Sequence, residues 1–222
     1  MHVISFVTQK GGSGKTTLTF CCAVAAQEQG ARVLVLDMDP QGTAEAWYQD
    51  REAETPRLAR VDSGNLAKAL EAAKTQNFDF VLLDTPGRDE PAVAAAIRAS
   101  DFCLIPCRPT PGDMKATPPT MATIKRLGKQ GAFVLTQTPP RGMRLMEAEA
   151  GLGILGMVCP IRIVQRHAYQ DAQGRGQGVT EFEPEGKAAE EVRQLWQWIT
   201  KKTYRSGKFG GKSQMALSSG DE

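Results

Sequence analysis

Lys10-Gly-Gly-Ser-Gly-Lys-Thr-Thr17 follows directly on the apolar run Val3-Ile4-Ser5-Phe6-Val7. That order reads as a buried strand, a glycine-rich loop and a helix start, the arrangement that cradles phosphate groups. Gly11, Gly12 and Gly14, with Ser13 between them, let successive backbone N–H groups converge on phosphate oxygens. The helix that follows adds the positive end of its dipole. Lys15 is placed to reach the β- and γ-phosphates of a nucleotide, and Thr16 to give a hydroxyl to Mg²⁺. A second lysine, Lys10, stands at the loop entrance and separates this loop from most phosphate loops. A glycine-rich turn with a chance lysine and threonine is the plainer alternative.

Two carboxylates come next, in Asp37-Met-Asp39-Pro-Gln41 at the end of the run 32–36. Spaced i and i+2, they are expected to leave a strand on the same side and to face the phosphate loop together. Hydrolysis of a γ-phosphate needs a positioned water and a Mg²⁺ shell, and acidic residues beside the phosphates can serve both. A helix cap with a solvated neighbour is the alternative for such a pair. A third carboxylate ends the apolar strand in Phe78-Asp-Phe-Val-Leu-Leu-Asp84-Thr-Pro-Gly87. Asp84 would bind Mg²⁺ directly or through water, and Gly87 would let its loop sense the γ-phosphate.

Strands and helices must hold these loops in line. Apolar strand-like runs at 33–36, 80–83, 102–105, 132–135 and 157–161 alternate with helix-patterned segments at 18–29, 66–74, 92–100, 121–129 and 145–150. The alternation predicts an α/β fold, a doubly wound and mostly parallel sheet with helices on both faces. Ligands of such sheets bind at the carboxyl ends of the strands. A last helix over 187–202 carries Ala188, Val192, Leu195, Trp196 and Ile199 at core-packing spacing. The division expected is one domain over 1–204 and a disordered polar tail over 205–222.

Composition agrees with a globular domain: 222 residues, 41% hydrophobic and 23% charged, enough for one large core. A net charge of +2 makes no case by itself for nucleic acid. No apolar run approaches the roughly 18 residues of a membrane span. The first strand begins within two residues of Met1, which is read as leaving no room for a signal peptide. Five irregularly spaced cysteines suggest reduced thiols in a cytoplasm.

The three loops together resemble the ParA/MinD superfamily of ATPases. Residues 10–17 look like its deviant Walker A motif, Asp37-x-Asp39-Pro-Gln41 like Walker A′, and Leu83-Asp-Thr-Pro-Gly87 like Walker B. The likeness continues through Phe102-Cys-Leu-Ile-Pro-Cys-Arg-Pro-Thr-Pro-Gly-Asp113 and 179–189, and covers about 1–203. The short N-terminus and Asp-Pro-Gln make the chain most similar to small ParA-type partition ATPases. The resemblance implies ATP and Mg²⁺ as cofactors. It matches Lys10 to a signature lysine that reaches the phosphates of the other subunit in a nucleotide-sandwich homodimer. It matches Lys15 to the phosphate-loop lysine, Thr16 to the Mg²⁺ ligand and Thr17 to an α-phosphate contact. Asp39 matches the carboxylate that orients the attacking water, with Asp37 and Asp84 in the Mg²⁺ shell. Thr136, in Thr136-Gln-Thr138, and the segment around Pro160 match the region near the adenine.

The function so implied is a slow, partner-stimulated ATPase of the bacterial cytoplasm, associated with the nucleoid. Its ATP dimer would bind DNA nonspecifically and segregate plasmid or chromosomal DNA with a centromere-binding ParB-type adaptor. Arg141, Arg144, Arg162, Arg166, Arg175, Lys187, Lys201, Lys202 and Arg205 are the candidate DNA contacts, with Lys208 and Lys212 in the tail. The alternative within the same mechanism is a ParA-like ATPase that positions a protein cargo, such as a carboxysome or chemoreceptor array, or assists conjugative transfer. A MinD-like membrane positioner would need an amphipathic C-terminal helix, and residues 195–199 are read as core instead. A metal-cluster carrier would need cysteines after the switch loop or a Cys-x-x-Cys pair. An amidating or carboxylating ligase would need a substrate pocket that the sequence does not identify, and a tyrosine kinase a C-terminal tyrosine cluster where Tyr204 stands alone. No membrane partner is expected, and with Met1 directly before the first strand no sequence-specific repressor activity is expected either.

Overall fold

All strand pairings run parallel, and the sequence pattern explains why. The computed structural model describes residues 1–87 and 90–206. Its strands are β1 (His2–Phe6), β2 (Val33–Asp37), β3 (Arg57–Arg60), β4 (Phe80–Asp84), β5 (Phe102–Cys107), β6 (Gly131–Leu135) and β7 (Met157–Val158). They form one seven-stranded sheet in the order β3-β2-β4-β1-β5-β6-β7. Central strands β2, β4 and β5 are buried along their whole length, which is the state that continuous apolar runs require.

Helices cover both faces, as the alternation predicts. They are α1 (Lys15–Glu28), α2 (Thr43–Gln49), α3 (Leu66–Thr75), α4 (Glu90–Ala99), α5 (Pro111–Ala116), α6 (Pro118–Arg126), α7 (Met143–Leu155), α8 (His167–Gln173), α9 (Val179–Phe182) and α10 (Lys187–Ser206). Strand periodicity sorts the core between them. Ile4 and Phe6 of β1 pack with α1, α2, α8, α9 and α10. Val3 and Val7 point the other way, toward α3 and α4 or toward α4, α6 and α7. Among the described residues no helix is long and apolar enough to cross a membrane.

Several elements differ from expectation. β3 is a largely exposed Arg-Leu-Ala-Arg edge with no apolar run to announce it, and pairing with β2 makes it a strand. Short helices α2, α5, α8 and α9 lack the length that gives helical periodicity. β7 stops at Val158 rather than 161. Cys159 N still donates to the Phe133 carbonyl at 2.8 Å, but Pro160 has no N–H to extend the ladder. α10 runs past 202 to Ser206: Thr203 is fully buried and the Tyr204 ring packs edge-on against His2 at 5.0 Å. Most of the expected tail, 207–222, lies outside the described residues.

Candidate functional site

Adjacent strands bring the three loops to one edge of the sheet. The register sets Phe6 beside Asp84 and Asp84 beside Asp37, so both carboxylates close their strands level with the loop leaving β1. In that loop Gly12 and Gly14 take φ of 71° and 95°, conformations that side chains rarely adopt. Gly14 caps α1 without a side-chain hydrogen bond, and the first helical turn holds no acidic residue. The leading N–H groups of a 14-residue helix are therefore open to an anion. Two residues beyond β6 brace the loop. Thr136 Oγ1 donates to the Ser13 carbonyl at 2.8 Å, and Gln137 Nε2 donates to the Gly12 carbonyl at 2.9 Å.

A cleft of about 800 Å³ opens over the loop, lined by Gly11, Gly12, Gly14, Lys15, Thr16, Thr17 and, opposite, Asp39, Gln41 and Gly87. Lys15 is only 7% exposed. Its ammonium donates to the Lys10 carbonyl at 3.5 Å, and burial lowers its pKa against the pull of Asp84 and Asp39. Gly87 brings the β4 loop close: a Cβ there would lie 3.5 Å from Gly11 N and 3.6 Å from Lys15 Nζ. Lys10 is exposed and its side chain does not line the cleft of its own chain.

The carboxylates differ sharply in environment. Asp84 is fully buried, and neither oxygen has a hydrogen-bond partner among the described residues. Burial pushes its pKa up to about 7, with the Thr16 hydroxyl and the Lys15 ammonium favouring the charged form and Asp37 opposing it. Asp37 is equally deep, but its oxygens accept from Asp39 N at 2.9 Å and Glu45 N at 3.2 Å. Burial raises its pKa too, and those two bonds oppose the rise. Asp39 lines the cleft with one oxygen accepting from Gln41 N at 3.0 Å.

Asp37 and Asp39 line one cavity together beside the cleft, but they enter the cleft itself differently. β2 ends at Asp37, whose carboxylate bonds the N–H two residues on and folds the chain into a turn. Strand alternation no longer applies beyond that point, and of the pair only Asp39 lines the cleft. Among the described residues no three His, Cys, Asp or Glu side chains converge as a ready-made metal cluster. The unpartnered Asp84 oxygens and the Thr16 hydroxyl are nevertheless hard donors of the kind Mg²⁺ takes when phosphates and water complete its shell.

A second cavity of about 220 Å³ adjoins the first, sharing Gly14, Thr17 and Gln137. Thr136, Ile163, Gln165 and Tyr169 line it, so it lies where a base attached to loop-bound phosphates could enter. Sequence reasoning reached Thr136 and the neighbourhood of Pro160 but missed α8, whose Tyr169, Gln170 and Gln173 form one wall. It also assigned nothing to Arg108. A Cβ on Gly12 would lie 3.9 Å from Arg108 Nη1, and the buried Asp113 carboxylate holds the guanidinium there through Nε and Nη2.

The candidate DNA-contacting cations are scattered. Arg162 is paired with Glu149 and Arg166 with Glu191. Arg175 and Lys202 lie over the Phe182 and Trp198 rings at 5.1 and 5.5 Å. Arg141, Arg144, Lys187 and Lys201 are exposed. The Arg205 side chain, Lys208 and Lys212 lie outside the described part.

Comparison with known proteins agrees with this geometry. The family model for the CobQ/CobB/MinD/ParA nucleotide binding domain matches residues 4–188. Maintenance of carboxysome distribution protein A of Halothiobacillus neapolitanus is 31% identical over 198 residues, covering 84% of this chain and 90% of the relative. The chromosome-partitioning ATPase Soj of Thermus thermophilus is 28% identical over 153 residues, 56% of this chain and 61% of that protein. The fold matches the septum site-determining protein MinD of Pyrococcus horikoshii, solved with Mg-ADP, at a TM-score of 0.75, 20% identity and coverage of 94% and 99%.

Proposed function

The chain belongs to the CobQ/CobB/MinD/ParA nucleotide-binding family, and from that premise we propose that it is an ATP-hydrolysing positioning protein whose cargo is a large protein assembly of the carboxysome kind. The observation that carries the ATPase reading is Asp84: a buried carboxylate without a partner, beside Lys15 and Thr16, at the uncapped start of α1. Folding tolerates such a group where a bound ion and phosphate complete it.

The residues divide the work. The loop backbone from Gly11 to Gly14 and the first turn of α1 hold the phosphates, and Thr17 closes on the α-phosphate side. Lys15 leaves the Lys10 carbonyl for the terminal phosphates. Thr16 and Asp84, with Asp37 behind them, would hold Mg²⁺, which when bound neutralises charge on the phosphate oxygens. Asp39 keeps one oxygen on Gln41 N and turns the other to a water aligned with the γ-phosphorus; attack by that water gives ADP and phosphate. Lys10 is exposed and does not line its own cleft, and in this reading its charge reaches a phosphate of a second subunit only when a homodimer forms. Dimer lifetime and hydrolysis are then coupled.

The cargo reading rests on similarity, because the 31% relative that spans most of both chains is a carboxysome distribution protein. It places the protein-cargo alternative ahead of DNA segregation. Segregation of a replicon with a centromere-binding adaptor remains the second reading, favoured by the shorter match to a chromosome-partitioning ATPase. Both use nonspecific DNA as a track in the ATP state, and an adaptor protein chooses the cargo.

One pair of measurements tests this. Purified Asp39→Ala should bind ATP and dimerise while its turnover falls at least about 100-fold; turnover at the wild-type rate would remove Asp39 from the reaction. In the native host, deleting the gene should collapse a protein assembly into clusters without loss of any replicon. Replicon loss with normally spaced assemblies would select the segregation reading.

A further inference from the structure

Most of the large apolar side chains that the described surface exposes lie in one place. Met143, Met146 and Ile154 of α7 are 75%, 68% and 86% exposed, and Met157 just beyond the helix is 41% exposed. The opposite side of α7, Leu145, Ala148 and Leu152, is buried on the sheet. At 100° per residue, Met143, Met146, Ala150, Gly153 and Ile154 form an outward stripe, with exposed Glu147 on its margin. Contiguous exposed apolar surface of this kind marks an interaction site, and methionine suits one because it adapts to what it meets.

Gly153 supplies an independent observation. Glycine in an exposed helix interior is unfavourable relative to alanine. A Cβ on Gly153 would meet nothing within 4 Å, so nothing within the described chain demands a glycine there. Its neighbour Gly151 is different, since a Cβ there would lie 3.4 Å from Met114 Cε. A backbone crossing α7 from outside gives Gly153, together with Ala150, a reason to be small.

We propose that this stripe is a self-association surface, in which α7 packs antiparallel on α7 of a second copy about a two-fold axis at Ala150. The pattern is its own complement. Large residues stand four positions either side of Ala150, so Met146 meets the partner's Ile154 and Ala150 meets the partner's Ala150. Met143 meets the partner's helix end, where Met157 is exposed. The same axis sets Glu147 opposite Gly153, Arg144 opposite Gly156 and Glu149 opposite Gly151, so no charge faces its own kind. An unrelated partner helix would not require that symmetry. No α7 residue lines either nucleotide cavity, so the contact is separate from the phosphate loop and independent of nucleotide. One helix face is smaller than the roughly 800 Å² per partner of a standard interface, so the pair is weak and concentration-dependent.

The test uses the full chain without nucleotide. All five native cysteines are buried, so a surface cysteine reports alone. Under mild oxidation Ala150→Cys should form a disulfide dimer, and a mixture of Met146→Cys and Ile154→Cys should cross-link better than either variant alone. Glu71→Cys, exposed on α3, should not. In sedimentation equilibrium the wild type should gain mass with concentration, and Ile154→Glu should weaken that association at least about tenfold. Gly153→Leu should weaken it as well while the chain stays folded by circular dichroism. Cross-linking of Ala150→Cys no faster than Glu71→Cys would overturn the proposal. So would a wild type that stays monomeric, or an Ile154→Glu chain that associates as the wild type does.

Discussion

Asp84 sits between Lys15, Thr16 and Asp37 with no hydrogen bond to either oxygen, and burial raises its pKa to about 7. Because the folded chain holds this proton more tightly than the unfolded one, its stabilising contribution is complete below the ordinary carboxylate range. It is lost as pH rises through about 7. Asp37, also raised by burial, acts in the same direction. The nucleotide-free protein should therefore lose stability, on the order of a few kcal/mol, between about pH 4 and pH 8. Asp84→Asn should flatten that slope in urea titrations across the range, while also weakening Mg²⁺-dependent nucleotide binding. An unchanged slope in Asp84→Asn would mean that other groups carry the pH dependence.

Contacts between elements tie the Asp39 turn to the second cavity. Trp47 of α2 stacks on Phe20 of α1 at 4.7 Å, and its Nε1 donates to the Gln177 carbonyl at 3.1 Å. Arg51, just past α2, donates to the Gly176 carbonyl at 2.8 Å and forms a two-point ion pair with Glu181 of α9. The Arg51 side chain is only 3% exposed, so the pair is desolvated on one side and breaking it would strand a buried charge. Gly176 makes the approach possible: its φ is +62° and a Cβ would lie 2.4 Å from Arg51 N, backbone that cannot swing aside. Gly176→Ala should cost at least about 2 kcal/mol in chemical denaturation. Because α8 walls the second cavity and α2 follows Asp39, nucleotide affinity should fall with it. A Gly176→Ala chain as stable as the wild type would show that the α8–α9 connection relaxes freely.

On the scale of the whole molecule, charge and symmetry decide what the monomer leaves open. A net charge of +2, with Arg162, Arg166 and Arg193 held in ion pairs, gives one chain little hold on DNA. In the proposed ATP-bound homodimer every exposed cation would be doubled. Binding to a nonspecific duplex should therefore require ATP and weaken steeply with salt, the signature of phosphate contacts releasing counterions. Equal binding with ADP, or binding insensitive to salt, would exclude the DNA-track reading. If the α7 faces also pair, two different two-fold contacts on one chain link the ATP dimers into larger assemblies, closed or open according to the angle between the axes. ATP should then produce species larger than dimers in the wild type and only dimers in Ile154→Glu, read by light scattering.

How much of this was legible beforehand depends on how local its cause is. Glycine spacing, a lysine and a threonine after an apolar run, and aspartates closing two other runs are patterns within a few residues. The phosphate loop, the sheet class and the three site segments could thus be read from the chain alone. The α1 helix and the central strands were legible for the same reason, since burial on both faces writes continuous apolar runs. Other features arise from contacts between distant segments and leave no periodic trace. β3 is a strand because β2 pairs with it, and α8 becomes a wall because the β6–β7 edge carries it there. Asp37 turns inward because Asp39 N and Glu45 N bond it, and Arg108 reaches Gly12 because buried Asp113 holds it. The sequence by itself determined the chemistry available and the order of its loops. Only the tertiary structure decided which carboxylate is left without a partner and which helix face is left uncovered, because both are set by what packs against a residue rather than by what neighbours it in the chain.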